Sequence, residues 1–429
     1  MERARYGALP KQRASFSFGA SRARVSVPPS MLFAFVAPLP AFSPASTPAS
    51  IKVPPSDPSL QYIGRFEERG DARLFDFAGC EIRTRLVLSA PATATVELAQ
   101  RHLPSPCTDP VACGNTASSG FEVNAFVVFV NGTRQGLGEH NASFVTSKEQ
   151  QDGVPYEFPL ADLPAGTHDV RVVKATEPDW NGGDPVPNYM SFTGFHLHPA
   201  SASSDFAAGR GTLPPLPVRK LEFLGDSITA GFCNTCTDPH PGPPPPDHLE
   251  AFLATWDYQV GELLDAQVHT AAWSGLGMVR NCCLGNTTMP GIFRRTLATE
   301  NIDDSWDFAS WKADALIVNL GTNDGDAVLD PHYDYVGVYA NLVADVAHRY
   351  GIDRMHAFLA CGPMTDEYCD PVFNVIANLT ARGVKAHFLD QRGFLNGTFG
   401  PPCCGHPSVE VDTAMAKYTA ATIKRVLGW

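Results

Sequence analysis

The sequence predicts a two-part protein: an all-β sandwich of jelly-roll type over residues 56–200, then an α/β domain over 218–429 built on a parallel sheet flanked by helices. Three observations carry this. From Leu60 to about Pro199, short alternating runs are separated by turn residues, the pattern of half-buried strands. From Val218 onward, short apolar runs alternate with longer helical stretches, as in a parallel sheet with crossover helices. Between them, residues 201–217 are rich in Ala, Ser, Gly and Pro without periodicity, as a linker is. A chain of 429 residues accommodates two domains of roughly 150 to 200 residues each and a leader. With 44% apolar and 18% charged residues, 37 Pro and 36 Gly, it reads as globular and loop-rich rather than disordered.

Residues 1–55 form the expected leader. The first fifty hold Arg3, Arg5, Lys11, Arg13, Arg22 and Arg24 against one acid, Glu2, so within a net charge of −13 the remainder stands at −18. Phosphate backbones and anionic lipid repel a body that acidic, which argues against nucleic-acid and membrane-surface partners. Met31–Ala49, opening Met-Leu-Phe-Ala-Phe-Val, has the form of a short secretory segment; the basic, Ser-rich composition fits organellar import as well. Five sequons (Asn131, Asn141, Asn286, Asn378, Asn396) and eleven cysteines favour secretion. No later run reaches the ~20 apolar residues of a membrane span.

Three cysteines precede the linker (Cys80, Cys107, Cys113) and eight follow it. An odd count leaves one thiol over. Cys80, in a strand-like run, is the candidate, with Cys107–Cys113 the expected bridge across a loop. Cys233-x-x-Cys236 lacks a second spaced Cys/His pair and reads as a disulfide-tied loop rather than a zinc site.

In the first domain, strands are expected at Leu60–Phe66, Glu81–Leu88, Phe126–Val130, Val170–Val173 and Met190–Leu197, within a sandwich of about eight strands. Asn131-Gly132 marks a type I′ hairpin, and Ala165-Gly166 precedes another strand. In the second, strands are expected at Leu221–Leu224, Val268–Ala272, Ala315–Leu320, His356–Ala360 and Ala386–Leu389. Helices fall near Leu249–Leu264, Asp334–Tyr350, Val372–Arg382 and Val409–Leu427. Pro407 suits the first turn of the last helix, and Val411, Met415, Tyr418, Thr422 and Val426 give it a packing stripe.

The motifs lie where such a sheet binds ligands, at the carboxyl ends of its strands. Gly225-Asp226-Ser227-Ile228-Thr229 follows the first strand, Ser274-Gly275 the second and Gly321-Thr322-Asn323-Asp324 the third, while Gly405-His406-Pro407-Ser408 precedes the last helix. A nucleophile, an amide donor and a base converging on one cleft are what acyl transfer from an ester requires.

These four blocks resemble those of the SGNH (GDSL) hydrolase superfamily. More narrowly, the chain from about 60 to 429 resembles carbohydrate esterase family 2, whose members join a β-sandwich to an SGNH domain and remove acetyl groups from polysaccharides. The cues are Tyr62-Ile63-Gly64-Arg65-Phe66, Gly166-Thr167-His168-Asp169-Val170-Arg171, Trp306-Asp307-Phe308, Cys361-Gly362-Pro363-Met364 and His406-Pro407-Ser408-Val409. The resemblance implies Ser227 as nucleophile and His406 as base. It also implies an oxyanion hole from the main-chain N–H groups of Ser227 and Gly275 and the side-chain amide of Asn323, each donor worth about 3 kcal/mol in comparable sites. It implies no metal and no cofactor.

One position departs from the pattern. Most members carry an Asp three residues before the His, and here that residue is Cys403. Family 2 includes enzymes that run on a Ser-His dyad with a main-chain carbonyl taking the imidazole N–H, so the resemblance implies the same of the loop 403–405; an impaired site is the alternative. Each residue also has a purely local reading: Ser227 as a turn serine, Asn323 as a buried turn residue, Gly275 as a tight-turn glycine, Asp226 and Asp324 as holders of nearby backbone. Trp273 and Trp180 are candidates to stack on a sugar ring or to pack in the core. The Pro-rich insert His240–Asp247 reads as a stiff spacer.

The leading functional expectation is a secreted carbohydrate deacetylase acting on an acetylated polysaccharide or oligosaccharide. The alternatives are a carbohydrate-binding protein with an impaired site, and an esterase or acyltransferase acting on another acyl ester. Nothing in the sequence specifies an oligomeric state.

Overall fold

The computed structural model describes residues 50–102, 124–136, 142–146, 150–178, 187–201, 206–236, 250–282, 285–300 and 302–429. Residues 47–429 form one compact unit. The expected Cys107–Cys113 bridge, Trp180, Asn141 and the insert His240–Asp247 lie outside the described residues.

Two antiparallel sheets occupy the first part. One has six strands, Ile51–Val53, Glu67–Arg69, Ala72–Phe75, Ala92–His102, Pro155–Leu163 and Asn188–Pro199. The other has seven, Gln61–Ile63, Glu81–Leu88, Ala125–Val130, Thr133–Gln135, Phe144–Val145, Gly166–Lys174 and Ala208–Arg210. Alternation explains why they face each other. In Glu81–Leu88 the residues Ile82, Thr84, Leu86 and Leu88 are buried, so one side of the pleat turns inward. Aromatic rings then meet across the gap: Tyr62 with Phe192, Phe75 with Phe126, and Phe144 stacked on Phe158 at 4.8 Å.

The described strands outnumber the eight expected because several are only two or three residues long, too short to show a period. The clearest case is Ala208–Arg210, which falls in the expected linker yet pairs with Glu81–Leu88. Main-chain pairing at a sheet edge needs no side-chain pattern, so composition alone hid it. Asn131 and Gly132 adopt φ of +51° and +77° between Val130 and its partner Thr133, the type I′ turn the dipeptide predicts.

The second part carries a five-stranded parallel sheet. In spatial order its strands are Ala266–Ala272, Arg219–Gly225, Ala315–Asn319, His356–Cys361 and Lys385–Asp390. By chain order that is 2-1-3-4-5, so the chain changes direction across the sheet between its first and third strands. At such a switch point a crevice opens beyond the carboxyl ends. The helices are α1 (Ser227–Ala230), α2 (Trp256–Leu264), α3 (Met289–Ile292), α4 (Tyr335–Tyr350), α5 (Cys369–Ala381) and α6 (Val409–Leu427).

Two helix details differ from expectation. The stretch expected to be helical from Leu249 begins as a single turn at Phe252–Ala254, and α2 starts only after Thr255, whose hydroxyl accepts the Tyr258 N–H as an N-cap. On α6 the buried stripe is Val411, Met415, Ala416, Ala420 and Ile423; Tyr418 is 38% exposed, and Pro407 precedes the N-cap Ser408 rather than entering the first turn.

The antiparallel and parallel parts are joined by a buried ion pair. Arg65, in the loop after Gln61–Ile63, reaches Glu222 on the first parallel strand at 2.9 Å, with 2% and 0% of the two side chains exposed. The guanidinium also donates to the carbonyls of Phe293 and Arg295 and lies over the rings of Phe293 and Trp306. Tyr350 O–H donates to the second Glu222 oxygen at 2.6 Å. Paired and hydrogen-bonded this completely, the two charges are tolerated out of water.

Candidate active site

Ser227 begins α1 directly after the first parallel strand. The turn is tight: a Cβ on Gly225 would lie 2.0 Å from Thr229 Oγ1, so only glycine fits where the strand runs into the helix. Asp226 caps α1, its Oδ1 accepting the Ile228 N–H at 3.0 Å.

His406 arrives from the far end of the sequence. Cys403 and His406 exchange main-chain hydrogen bonds of 2.8 and 2.7 Å, and between them Cys404 and Gly405 take φ of +51° and +78°. That is the signature of a type I′ turn. It aims the Cys404 carbonyl at His406 Nδ1, 3.1 Å away, while Nε2 stands 2.8 Å from Ser227 Oγ. A carbonyl only accepts, so Nδ1 carries the proton and Nε2 is left with its lone pair toward the hydroxyl, which donates to it. Burial pushes the His406 pKa below its ordinary 6.5, the Cys404 carbonyl pulling weakly the other way. The imidazole is therefore neutral at neutral pH.

Asn323 links the other blocks. Its amide donates to Asp226 Oδ2 at 3.1 Å and to the Leu276 carbonyl at 2.9 Å, tying the third motif to the first and to the turn holding Gly275 (φ +82°). Both amide hydrogens are thus engaged, so donation from Asn323 to a substrate oxygen requires one of these bonds to be shared. Among the described residues no acceptor takes the main-chain N–H of Ser227 or of Gly275.

Two carboxylates hold the Gly275 turn. Asp324 accepts from the N–H groups of Met278, Val279 and Arg280 at 2.9, 2.6 and 3.0 Å, the backbone role read for it in the sequence. Glu177 was not singled out there. It follows the strand Gly166–Lys174, and its Oε2 accepts the Ser274 N–H at 2.5 Å, so the antiparallel part reaches the turn next to Gly275. Its own N–H donates to Glu250 Oε1 at 2.6 Å. An acid just past a strand end carries no local signature of a partner nearly a hundred residues on. Burial raises the Asp324 pKa against those three N–H bonds and lifts Asp226 to about 7.

Trp273 takes the core-packing reading of the two that the sequence left open, not sugar stacking. It is 4% exposed, inside the apolar core, and has no face open to a ring. The cysteines largely follow the sequence reading: Cys233–Cys404, Cys236–Cys403 and Cys361–Cys369 are bridged, Cys282 is disulfide-bonded, and Cys80 is a buried free thiol whose pKa burial pushes up to about 12.

Among the described residues, the side chains grouped closely enough to hold a metal are Glu97, Glu157 and His196. They lie on the six-stranded sheet, away from Ser227, and bond to His198, Lys52, Thr95 and Thr193. A surface depression of about 460 Å³, lined by Arg219, Asp314, Arg354, His356 and Trp429 among others, sits at the amino ends of the parallel strands, the edge opposite the motifs.

No protein-family model matches the chain. Over 282 residues, 63% of its length, it is 29% identical to the cellulase/esterase CelE of Acetivibrio thermocellus. Over 298 residues it is 26% identical to an acetylxylan esterase / glucomannan deacetylase of Cellvibrio japonicus, of which it covers 73%. Of CelE it spans 31%, about a third. A family two carbohydrate esterase from Clostridium thermocellum, solved in complex with cellohexaose, superposes with a TM-score of 0.66 at 23% identity, covering 86% of this chain and 99% of that one. Solved structures that resemble this chain include several family two carbohydrate esterases. The family 2 esterase from Cellvibrio japonicus gives 0.67 at 17% identity, covering 89% and 99%. Coverage that wide exceeds either part of this chain alone, so the shared fold takes in the antiparallel sheets and the parallel sheet together.

Proposed function

We propose that this protein is a serine esterase that removes O-acetyl groups from carbohydrate, with a Ser227–His406 dyad and an oxyanion hole formed by the N–H groups of Ser227 and Gly275 and the amide of Asn323. The observation that carries the reading is His406 standing between Ser227 Oγ and the Cys404 carbonyl. With Nδ1–H held, Nε2 takes the Ser227 proton as Oγ attacks the acetyl carbon. The tetrahedral oxyanion draws on main-chain N–H groups that have no other acceptor among the described residues. Its collapse breaks the bond to the sugar oxygen, which leaves with the proton from Nε2. Water, deprotonated by the same nitrogen, then attacks the acyl carbon; the bond to Ser227 Oγ breaks, Oγ takes the proton back from Nε2, and acetate leaves.

The substrate class follows from the relatives: an acetylxylan esterase / glucomannan deacetylase and a neighbour solved with cellohexaose favour an acetylated β-linked polysaccharide. We read the parallel part, 218–429, as an SGNH-type hydrolase domain and residues 56–200 as a jelly-roll-like accessory domain. Disulfides and sequons favour secretion, and no helix of the described chain is long and apolar enough to cross a membrane. The absent Asp motivates the binding-only alternative; the Cys404 carbonyl weighs against it, since it gives Nδ1 an acceptor without a carboxylate.

The test is acetate release from a panel of acetylated polysaccharides and from nitrophenyl acetate, comparing the wild-type chain with Ser227→Ala. Release abolished in a folded variant supports the dyad. Release that persists sinks it, and a folded wild type that binds glycans without releasing acetate establishes the binding protein instead.

A further inference from the structure

The loop that orients His406 is cross-linked twice to the segment that carries Ser227. Cys233 and Cys236 follow Ser227 within ten residues, and Cys403 and Cys404 immediately precede the Gly405-His406 pair. The bridges run Cys233–Cys404 and Cys236–Cys403, with sequence separations of 171 and 167. Chain entropy accounts for only one of them. Closing either long loop restricts the unfolded chain strongly, but once one is closed the other closes just the short ring through 233–236 and 403–404 and adds little further restriction.

The effect of the second bridge is therefore local, and it falls on the turn that aims the carbonyl. Type I′ turns favour Asn, Asp or Gly at their first central position. Here that position is Cys404 at φ +51°, bridged to Cys233, itself at φ +61°. A non-glycine residue keeps such a conformation where its surroundings impose it. The 233–236 segment is in turn fixed from α6: Asn234 accepts the Val409 N–H through its carbonyl at 3.1 Å and donates to Asp412 at 3.2 Å.

We propose that the paired disulfides are the positioning element for His406, holding the Cys404 carbonyl on Nδ1 and so keeping the Nε2 lone pair on Ser227, the task a carboxylate at position 403 would otherwise perform. The proposal rests on the reading of His406 as the base. It makes the four cysteines positioning residues that act through the imidazole and touch no substrate. Both bridges are needed, because one alone tethers the loop without fixing the orientation of the Cys404 peptide.

The test uses the full chain with Cys233→Ser/Cys404→Ser and, separately, Cys236→Ser/Cys403→Ser. Each variant keeps one long cross-link, so thermal midpoints should stay close to wild type. The expected result is a kcat on nitrophenyl acetate lower by roughly 10- to 100-fold, a share of what a positioned base contributes, with KM within about twofold. In parallel, 15N shifts of the His406 ring should report a single Nδ1-protonated form in wild type and a mixture of tautomers in the variants. Folded variants with unchanged kcat and a single tautomer overturn the proposal. If one pair fails to fold, the other carries the test. If wild type releases no acetate, the esterase reading fails, while the tautomer comparison still decides whether the bridges position the ring.

Discussion

Replacing Asp226 by Asn should change how stability depends on pH, and by an amount the structure sets. Asp226 is fully buried, and loss of water raises its pKa from 3.8 to about 7, against the Ile228 N–H and with the nearby Asp324 charge pushing the same way. The group is thus protonated in the folded state and ionised in the unfolded state between about pH 4 and 7. Wherever the folded state binds the extra proton, stability falls as pH rises, by about 1.4 kcal/mol per pH unit. From 3.8 to about 7 this sums to about 4 kcal/mol, fully lost above pH 7 and regained as pH falls through the window. Asp226→Asn removes the titration. It also costs an acceptor, since one amide oxygen must serve both the Ile228 N–H and Asn323, but that offset does not vary with pH. Urea denaturation of both proteins at pH 5, 6, 7 and 8 isolates the effect, because Asp76 and Asp257, each raised to about 6 by burial, contribute alike to both and cancel in the difference. Wild-type stability minus variant stability should fall steeply from pH 5 to 7 and level off above. A difference constant across this range would refute the argument.

Two further outcomes follow from the same geometry. Because burial holds the His406 pKa below 6.5, the acid limb of kcat/KM should lie below that of a free imidazole; by linkage the same residue weakens the fold as pH falls below 6.5, where the unfolded chain takes up the proton first. A limb at or above 6.5 counts against His406 as the base. Glu222→Gln leaves Arg65 charged and buried without its partner, so it should lower unfolding free energy by about 3–5 kcal/mol, read by denaturant titration; a loss under 1 kcal/mol would show that the pair does not join the two parts.

What the sequence made legible, and what it hid, divides along a physical line. The motif positions were readable because each is local: a glycine where strand meets helix at Gly225, a type I′ dipeptide at Asn131-Gly132, an apolar period over Val409–Leu427. Features that depend on partners remote in the chain were not. The strand Ala208–Arg210 is defined by hydrogen bonds to Glu81–Leu88, and Glu177 matters only through the Ser274 N–H. Trp273 sits beside the Gly275 turn in sequence, which left sugar stacking and core packing both open. Its burial is a property of the packed core, invisible from its neighbours.

The same division bears on what the antiparallel part contributes. A binding module appended to a complete catalytic domain would leave that domain's site self-sufficient. Here the antiparallel part supplies Arg65 to Glu222, on the strand that leads into Ser227, Asp76 to the Thr299 N–H and Glu177 to the turn beside Gly275. Residues 218–429 alone would keep every motif recognised in the sequence, yet would carry a buried carboxylate without its ion-pair partner on the Ser227 strand and a Gly275 turn missing one of its two carboxylate anchors. Charges and N–H groups left that way are costly. The β-rich half therefore belongs to the architecture of the site.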